Sequence, residues 1–143
     1  MPRILLAEDN PADVHLIRVA LAEHGVQCTM RVASDGMEVL GIIAGKDPAD
    51  AGAFALIILD VNLPRYSGIE VLERMRELAW QSHVPVVIMT SSDSPLDRLA
   101  ATNLGAQLYL RKPSNLEKFL AFGAVFKELI AGQGLGPNKG GIN

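Results

Sequence analysis

A single cysteine, Cys28, is all the thiol chemistry the 143 residues carry. It cannot form an intramolecular disulfide or a cysteine metal cluster, and its place in an apolar-alternating stretch (Val26, Cys28, Met30, Val32) reads as a buried free thiol. No basic run is present to track a phosphate backbone: 13 Lys+Arg stand against 16 Asp+Glu, for a net charge of −3. Nucleic acid is therefore not expected as a direct ligand. No apolar run approaches the roughly 20 residues of a membrane span, and the opening "MPRILLAEDN" turns acidic too soon for a signal peptide. A cytoplasmic protein without membrane contact is the expectation. His15, His24 and His83 share no ligand spacing and read as solvated or capping side chains.

What is present is apolar material: 49% of the residues, with a mean hydropathy of +0.22. That suffices for one buried core and one domain, with no second folded module expected. Three runs, "ILLAED" (4–9), "FALIILD" (54–60) and "VPVVIMTS" (84–91), are apolar without strict alternation, the mark of strands buried on both faces of a parallel sheet. "VQCTMRVA" (26–33) and "QLYLRK" (107–112) are weaker candidates. Helix starts lie between them. Asn10-Pro11 and Ser94-Pro95 pair an N-cap with proline at the first helical position. Ser67 with Glu70, Asp35 with Glu38, and Ser114 with Glu117 match or approximate capping boxes. The order is strand-helix five times over, which predicts an α/β fold with an open, doubly wound parallel sheet. Residues 1–131 form the expected domain, and 132–143, Gly-rich, a disordered tail. "AGKDPADAG" (44–52) reads as a long loop without evident chemistry.

In an open parallel sheet, ligands bind beyond the carboxyl ends of the strands. Glu8 and Asp9, Asp60, Thr90 and Ser91, and Lys112-Pro113 stand at those ends. Acids before helices are often only caps, but Asn10 and Ser67 already hold the cap positions, leaving Asp9 and Asp60 without that job. Neighbouring carboxylates repel by about 4 kcal/mol per pair at 4 Å and an effective dielectric near 20. A cation must balance them, and both Lys112 and a hard divalent ion such as Mg²⁺ are candidates.

These residues resemble the receiver domains of two-component response regulators, in length and layout the single-domain chemotaxis regulators. The resemblance covers about residues 3–130 and rests on Glu8-Asp9, on "LDVNLPRYSG" with Pro64 and Gly68 after Asp60, on Thr90, and on "YLRKP" with Tyr109 before Lys112. "AEDNPADVHLIRVAL" further resembles the stand-alone regulators that pair with bacterial phytochrome-type histidine kinases.

The resemblance implies a (βα)5 flavodoxin-like sheet in strand order 2-1-3-4-5. Asp60 would be the phosphoacceptor, taking its phosphoryl group from a sensor histidine kinase. Asp9 would bind Mg²⁺ directly, Glu8 through water, and Asn62 through its backbone carbonyl. Lys112 would pair with phosphoryl oxygens, its placement aided by a cis peptide to Pro113. Thr90 would satisfy the new phosphoryl oxygens, Tyr109 would turn inward with it, and the loop after strand four with helix four (about 95–104) would be the bistable element. Output would be binding, to a downstream protein or a histidine phosphotransfer protein, and the domain would catalyse only its own phosphorylation and dephosphorylation.

The last helix adds a second apolar stripe, Phe122, Val125 and Leu129, to its core-facing one. Either it forms an interface, as in a homodimer, or a deep groove covers both stripes. Arg65 and Tyr66 lie beside Asp60, facing a docking kinase or merely solvent. Two alternatives compete. A haloacid-dehalogenase-like phosphatase would need a second Asp where Asn62 stands. A degenerate receiver acting as a constitutive scaffold would not need Asp60, Lys112 and Thr90 intact.

Overall fold

The computed structural model describes residues 1–132. Its strands are β1 (Arg3–Ala7), β2 (Thr29–Ala33), β3 (Leu56–Leu59), β4 (Val86–Thr90) and β5 (Leu108–Arg111). The helices are α1 (Pro11–Glu23), α2 (Gly36–Ile43), α3 (Gly68–Glu77), α4 (Pro95–Asn103) and α5 (Leu116–Ala131). All the strands are parallel, in the order β2-β1-β3-β4-β5, as the resemblance implies. The expected disordered tail lies outside the described residues beyond Gly132.

Burial explains why some strands read more clearly than others. β1, β3 and β4 occupy the middle of the sheet and are covered on both faces, so they can be apolar at nearly every position. The edge strands β2 and β5 are only partly covered and mix polar residues in. Alternate residues serve alternate layers. Leu5, Ile57, Leu59 and Ile88 pack against Val39 of α2 and Val71, Leu72 and Met75 of α3. Ile4, Leu6, Ile58 and Met89 pack against Ile17 and Leu21 of α1 and Phe119 and Phe126 of α5.

The caps hold at four helices. Asn10, Asp35 and Ser94 each accept a backbone N–H of the first turn, and Ser67 and Glu70 close a full capping box. At α5 the cap is Asn115, bonded to the Lys118 N–H, rather than Ser114. Asparagine caps as well as serine does, and it starts the helix one residue later. The 44–52 segment also departs from its reading. It holds a 3₁₀ turn (Pro48–Asp50) whose buried Asp50 receives Arg31 Nε at 2.6 Å.

The second stripe of α5 is largely covered within the chain. Phe122 and Leu129 pack on the α1/α5 layer, and Val125 is half-buried like them, so the deep-groove alternative accounts for most of the stripe. Gly123 is what lets the helices close: a Cβ there would collide with the Ala20 carbonyl and the His24 ring. Among the described residues, no helix is long and apolar enough to cross a membrane.

Candidate functional site

Glu8 and Asp60 each follow the last residue of a central strand, where the sheet's hydrogen bonds hold the backbone rigid. The Glu8 N–H donates to the Ala33 carbonyl at 2.9 Å and that of Asp60 to the Ala7 carbonyl at 3.0 Å. Behind Asp60 the chain must turn back closely. Gly68, at the first position of α3, sits so near that a Cβ would strike the Asp60 carbonyl oxygen. The loop between them is pinned by the Gly36 N–H on the Pro64 carbonyl at 3.0 Å, and Arg65 takes a left-handed φ of 73°. Gly68 is thus a requirement of this turn, while Pro64 contributes its carbonyl.

The Asp60 carboxylate is buried and met by donors at both oxygens. Lys112 Nζ donates to Oδ2 at 2.7 Å; Thr90 Oγ1 and the Asn62 N–H donate to Oδ1 at 2.7 and 2.9 Å. Burial alone would push its pKa up, but the donors, Lys112 foremost, outweigh it and hold the carboxyl below its ordinary value. Asp60 is therefore a carboxylate at neutral pH. Glu8, equally buried, is pushed up to about 7, first by desolvation and further by the Asp60 charge, against the pull of Lys112.

Lys112 is placed by β5, its N–H bonding the Thr90 carbonyl at 2.8 Å. Its ammonium meets Glu8, Asp13 and Asp60 at 2.7, 2.8 and 2.7 Å, using all of its donors. Burial disfavours this charge, but the three carboxylates more than compensate and raise its pKa. No cis peptide occurs among the described residues, so the bond to Pro113 is trans, contrary to expectation; three ion pairs seat the lysine without it.

Glu8, Asp9 and Asp60 each bring a carboxylate oxygen within 4.8 Å of the others, with Asp9 exposed and the other two buried. Hard carboxylate oxygens opening to solvent suit a small divalent cation that keeps part of its water. Asp13 is the residue that sequence reasoning missed. It reads as an acid in the first turn of α1, and only the fold brings it to Lys112.

A hydrogen-bonded path leaves the site through Thr90. The Ser92 N–H donates to Thr90 Oγ1 at 3.2 Å, and the Ser92 carbonyl accepts from Tyr109 Oη at 3.1 Å. Ser92 Oγ donates to Asp97 of α4 at 2.8 Å, and the Arg98 guanidinium lies 4.4 Å from the Tyr109 ring centre. Thr90 and Tyr109 are thus joined through Ser92. His24 caps α1, and Trp80 packs on Phe54 near the opposite end of the sheet.

Residues 4–122 match the family described as the response regulator receiver domain. Similar curated proteins include the uncharacterized transcriptional regulatory protein YkoG of Bacillus subtilis (strain 168), 35% identical over 118 residues, which are 82% of this chain and 47% of that protein. The transcriptional regulatory protein TrcR of Mycobacterium tuberculosis is 34% identical over 119 residues, 83% of this chain and 42% of that protein. The chain spans about half the length of the curated relatives it matches. Among solved structures, the phosphorylated cyanobacterial phytochrome response regulator RcpA is 31% identical, with a TM-score of 0.82 over 91% of this chain and 94% of that one. The bacteriophytochrome response regulator AtBRR is 30% identical, with a TM-score of 0.71 over 92% and 93%.

Proposed function

We take as premise that the chain belongs to the response regulator receiver domain family of two-component signalling, and we propose that it acts as a response regulator receiver phosphorylated on Asp60. The observation that carries this is the environment of Asp60: a buried, ionised carboxylate at a strand end, oriented by Lys112, Thr90 and the Asn62 N–H beside two further acids.

An Asp60 oxygen attacks the phosphorus of a phosphohistidine on a sensor histidine kinase. The O–P bond forms as the P–N bond breaks, its electron pair leaving on the imidazole. Lys112 lies where it can bond the transferred oxygens, and Thr90 can turn its hydroxyl from Oδ1 to one of them. Glu8, Asp9 and Asp60, with the Asn62 backbone carbonyl, would hold Mg²⁺, which when bound supplies positive charge against the transferring phosphoryl group. Nothing else is required, since phosphoryl transfer depends mainly on positioning and charge.

Movement of Thr90 loosens Ser92, and through it Tyr109 and α4. A downstream protein or histidine phosphotransfer protein would meet Leu96 and Leu99, exposed on α4. The likeness to RcpA and AtBRR, both named as phytochrome response regulators, favours a phytochrome-type kinase as donor. Dimerisation through Phe122, Val125 and Leu129 would use only their uncovered edges; a monomer in sedimentation, with and without phosphate, rules it out. A cytoplasmic location accords with this reading.

The test is intact mass after incubation with acetyl phosphate and Mg²⁺. A single phosphoryl adduct on wild type, absent without metal and absent from Asp60→Asn, is the expected result. A folded wild-type protein that takes no adduct would overturn the reading in favour of a constitutive scaffold.

A further inference from the structure

Resting on that reading, we propose that Asp13 is a positioning residue that keeps Lys112 in place while the other two carboxylates bound to it are drawn into phosphoryl transfer. The ammonium has three N–H donors and spends them on Glu8, Asp13 and Asp60. Two of those partners, Glu8 and Asp60, also belong to the set whose oxygens converge within 4.8 Å. A cation held there would draw on both, and phosphorylation of Asp60 turns one of its carboxylate oxygens into the bridging oxygen of an acyl phosphate. Asp13 lies outside that set, so its contact with Lys112 survives both events.

The geometry suits an anchor. Asp13 stands in the first turn of α1, fixed by the Asn10 cap and by Pro11. Its side chain is 19% exposed, and it reaches Lys112 Nζ at 2.8 Å. Lysine carries its charge on a flexible four-carbon stem, and every partner that holds it reduces the volume the ammonium samples. Without Asp13 the ammonium would be seated in the resting protein only by groups that the reaction itself engages. With it, one contact from a helix independent of the strand ends stays throughout.

The experiment compares wild type, Asp13→Asn and Asp13→Ala in two ways. The first is the rate of adduct formation from acetyl phosphate as a function of Mg²⁺ concentration. For Asp13→Ala the rate at saturating Mg²⁺ should fall about tenfold, equivalent to about 1.4 kcal/mol, while the half-saturating concentration stays within about twofold, as fits a residue that holds lysine rather than metal. Asp13→Asn should recover much of the rate, because its amide oxygen can still accept from Nζ. The second is the side-chain ammonium resonance of Lys112 in magnesium-loaded protein, which should be protected from water exchange in wild type and Asp13→Asn and lost in Asp13→Ala. An unchanged rate and an unchanged resonance in Asp13→Ala would overturn the anchor alone. A rise in the half-saturating concentration with no loss at saturation would overturn it in favour of a role in metal binding. If wild type itself forms no adduct, the proposed function falls, and the anchor with it.

Discussion

At the scale of residues, the site is organised around one ammonium among four acids. Lys112 is only 11% exposed, so its ion pairs are not the weak, screened kind found at surfaces. Replacing it with methionine leaves Glu8, Asp13 and Asp60 facing one another, and Lys112→Met should cost about 3 kcal/mol or more in metal-free protein. Urea unfolding checks this; a loss below about 1 kcal/mol, the surface value, would contradict it. Asp60, Glu8, Asp9 and Thr90 were legible in the sequence because they stand at the ends of apolar strands, where the polarity change is abrupt; Lys112, after the mixed edge strand β5, stood out through the resemblance carried by "YLRKP". Asp13 was not, because an acid in a first turn already has an ordinary explanation in the helix dipole. Its partner lies 99 residues away, a separation closed as α1 packs against α5, the helix that follows Lys112.

At the scale of elements, two glycines that look alike in sequence have opposite roles. Gly123 lies on α5 where a Cβ would collide with α1, whereas Gly41 of α2 has only the flexible end of Lys46 at 3.6 Å. Gly123→Ala should therefore destabilise by about 1–3 kcal/mol through overpacking, while Gly41→Ala should stabilise by about 0.5–1 kcal/mol by removing glycine from a helix interior. Thermal unfolding of the pair measures both signs at once. The Arg31 network makes a second prediction. Burial would raise the pKa of Glu38, but the Ser34 N–H and Arg31 outweigh it and hold it below the ordinary value. Its contribution to stability is present above the unfolded pKa, about 4.3, and is lost as pH falls through the lower folded value. Wild type should thus lose more stability than Glu38→Gln between about pH 5 and pH 3; parallel urea curves for the two would contradict this. Elements were legible where burial was complete, as in β3, and less so at the edges. The 44–52 loop hid Asp50 because two acids, Asp47 and Asp50, among alanines, glycines and a proline give no sign that Arg31 of β2 will bury one of them.

At the scale of the whole molecule, the sequence pattern announced five strand-helix units but not how the strands are ordered. That order came from likeness to a family, since apolar runs in β1, β3 and β4 say only that these strands are central. It matters because placing β1 between β2 and β3, with β4 next to β3, brings Glu8, Asp60 and Thr90 to one edge of the sheet. The covering of α5 by α1 was likewise invisible, since a helix pattern shows which side chains are apolar and not what lies over them. The central claim is that this convergence makes Asp60 a nucleophile toward phosphorus, and the most direct measurement is chemical trapping of the product. Protein treated with acetyl phosphate and Mg²⁺, reduced with borohydride and digested, should yield homoserine at position 60, the mark of an acyl phosphate there. Homoserine at Glu8's neighbour Asp9 or at Asp13, with Asp60 recovered unmodified, would contradict the account.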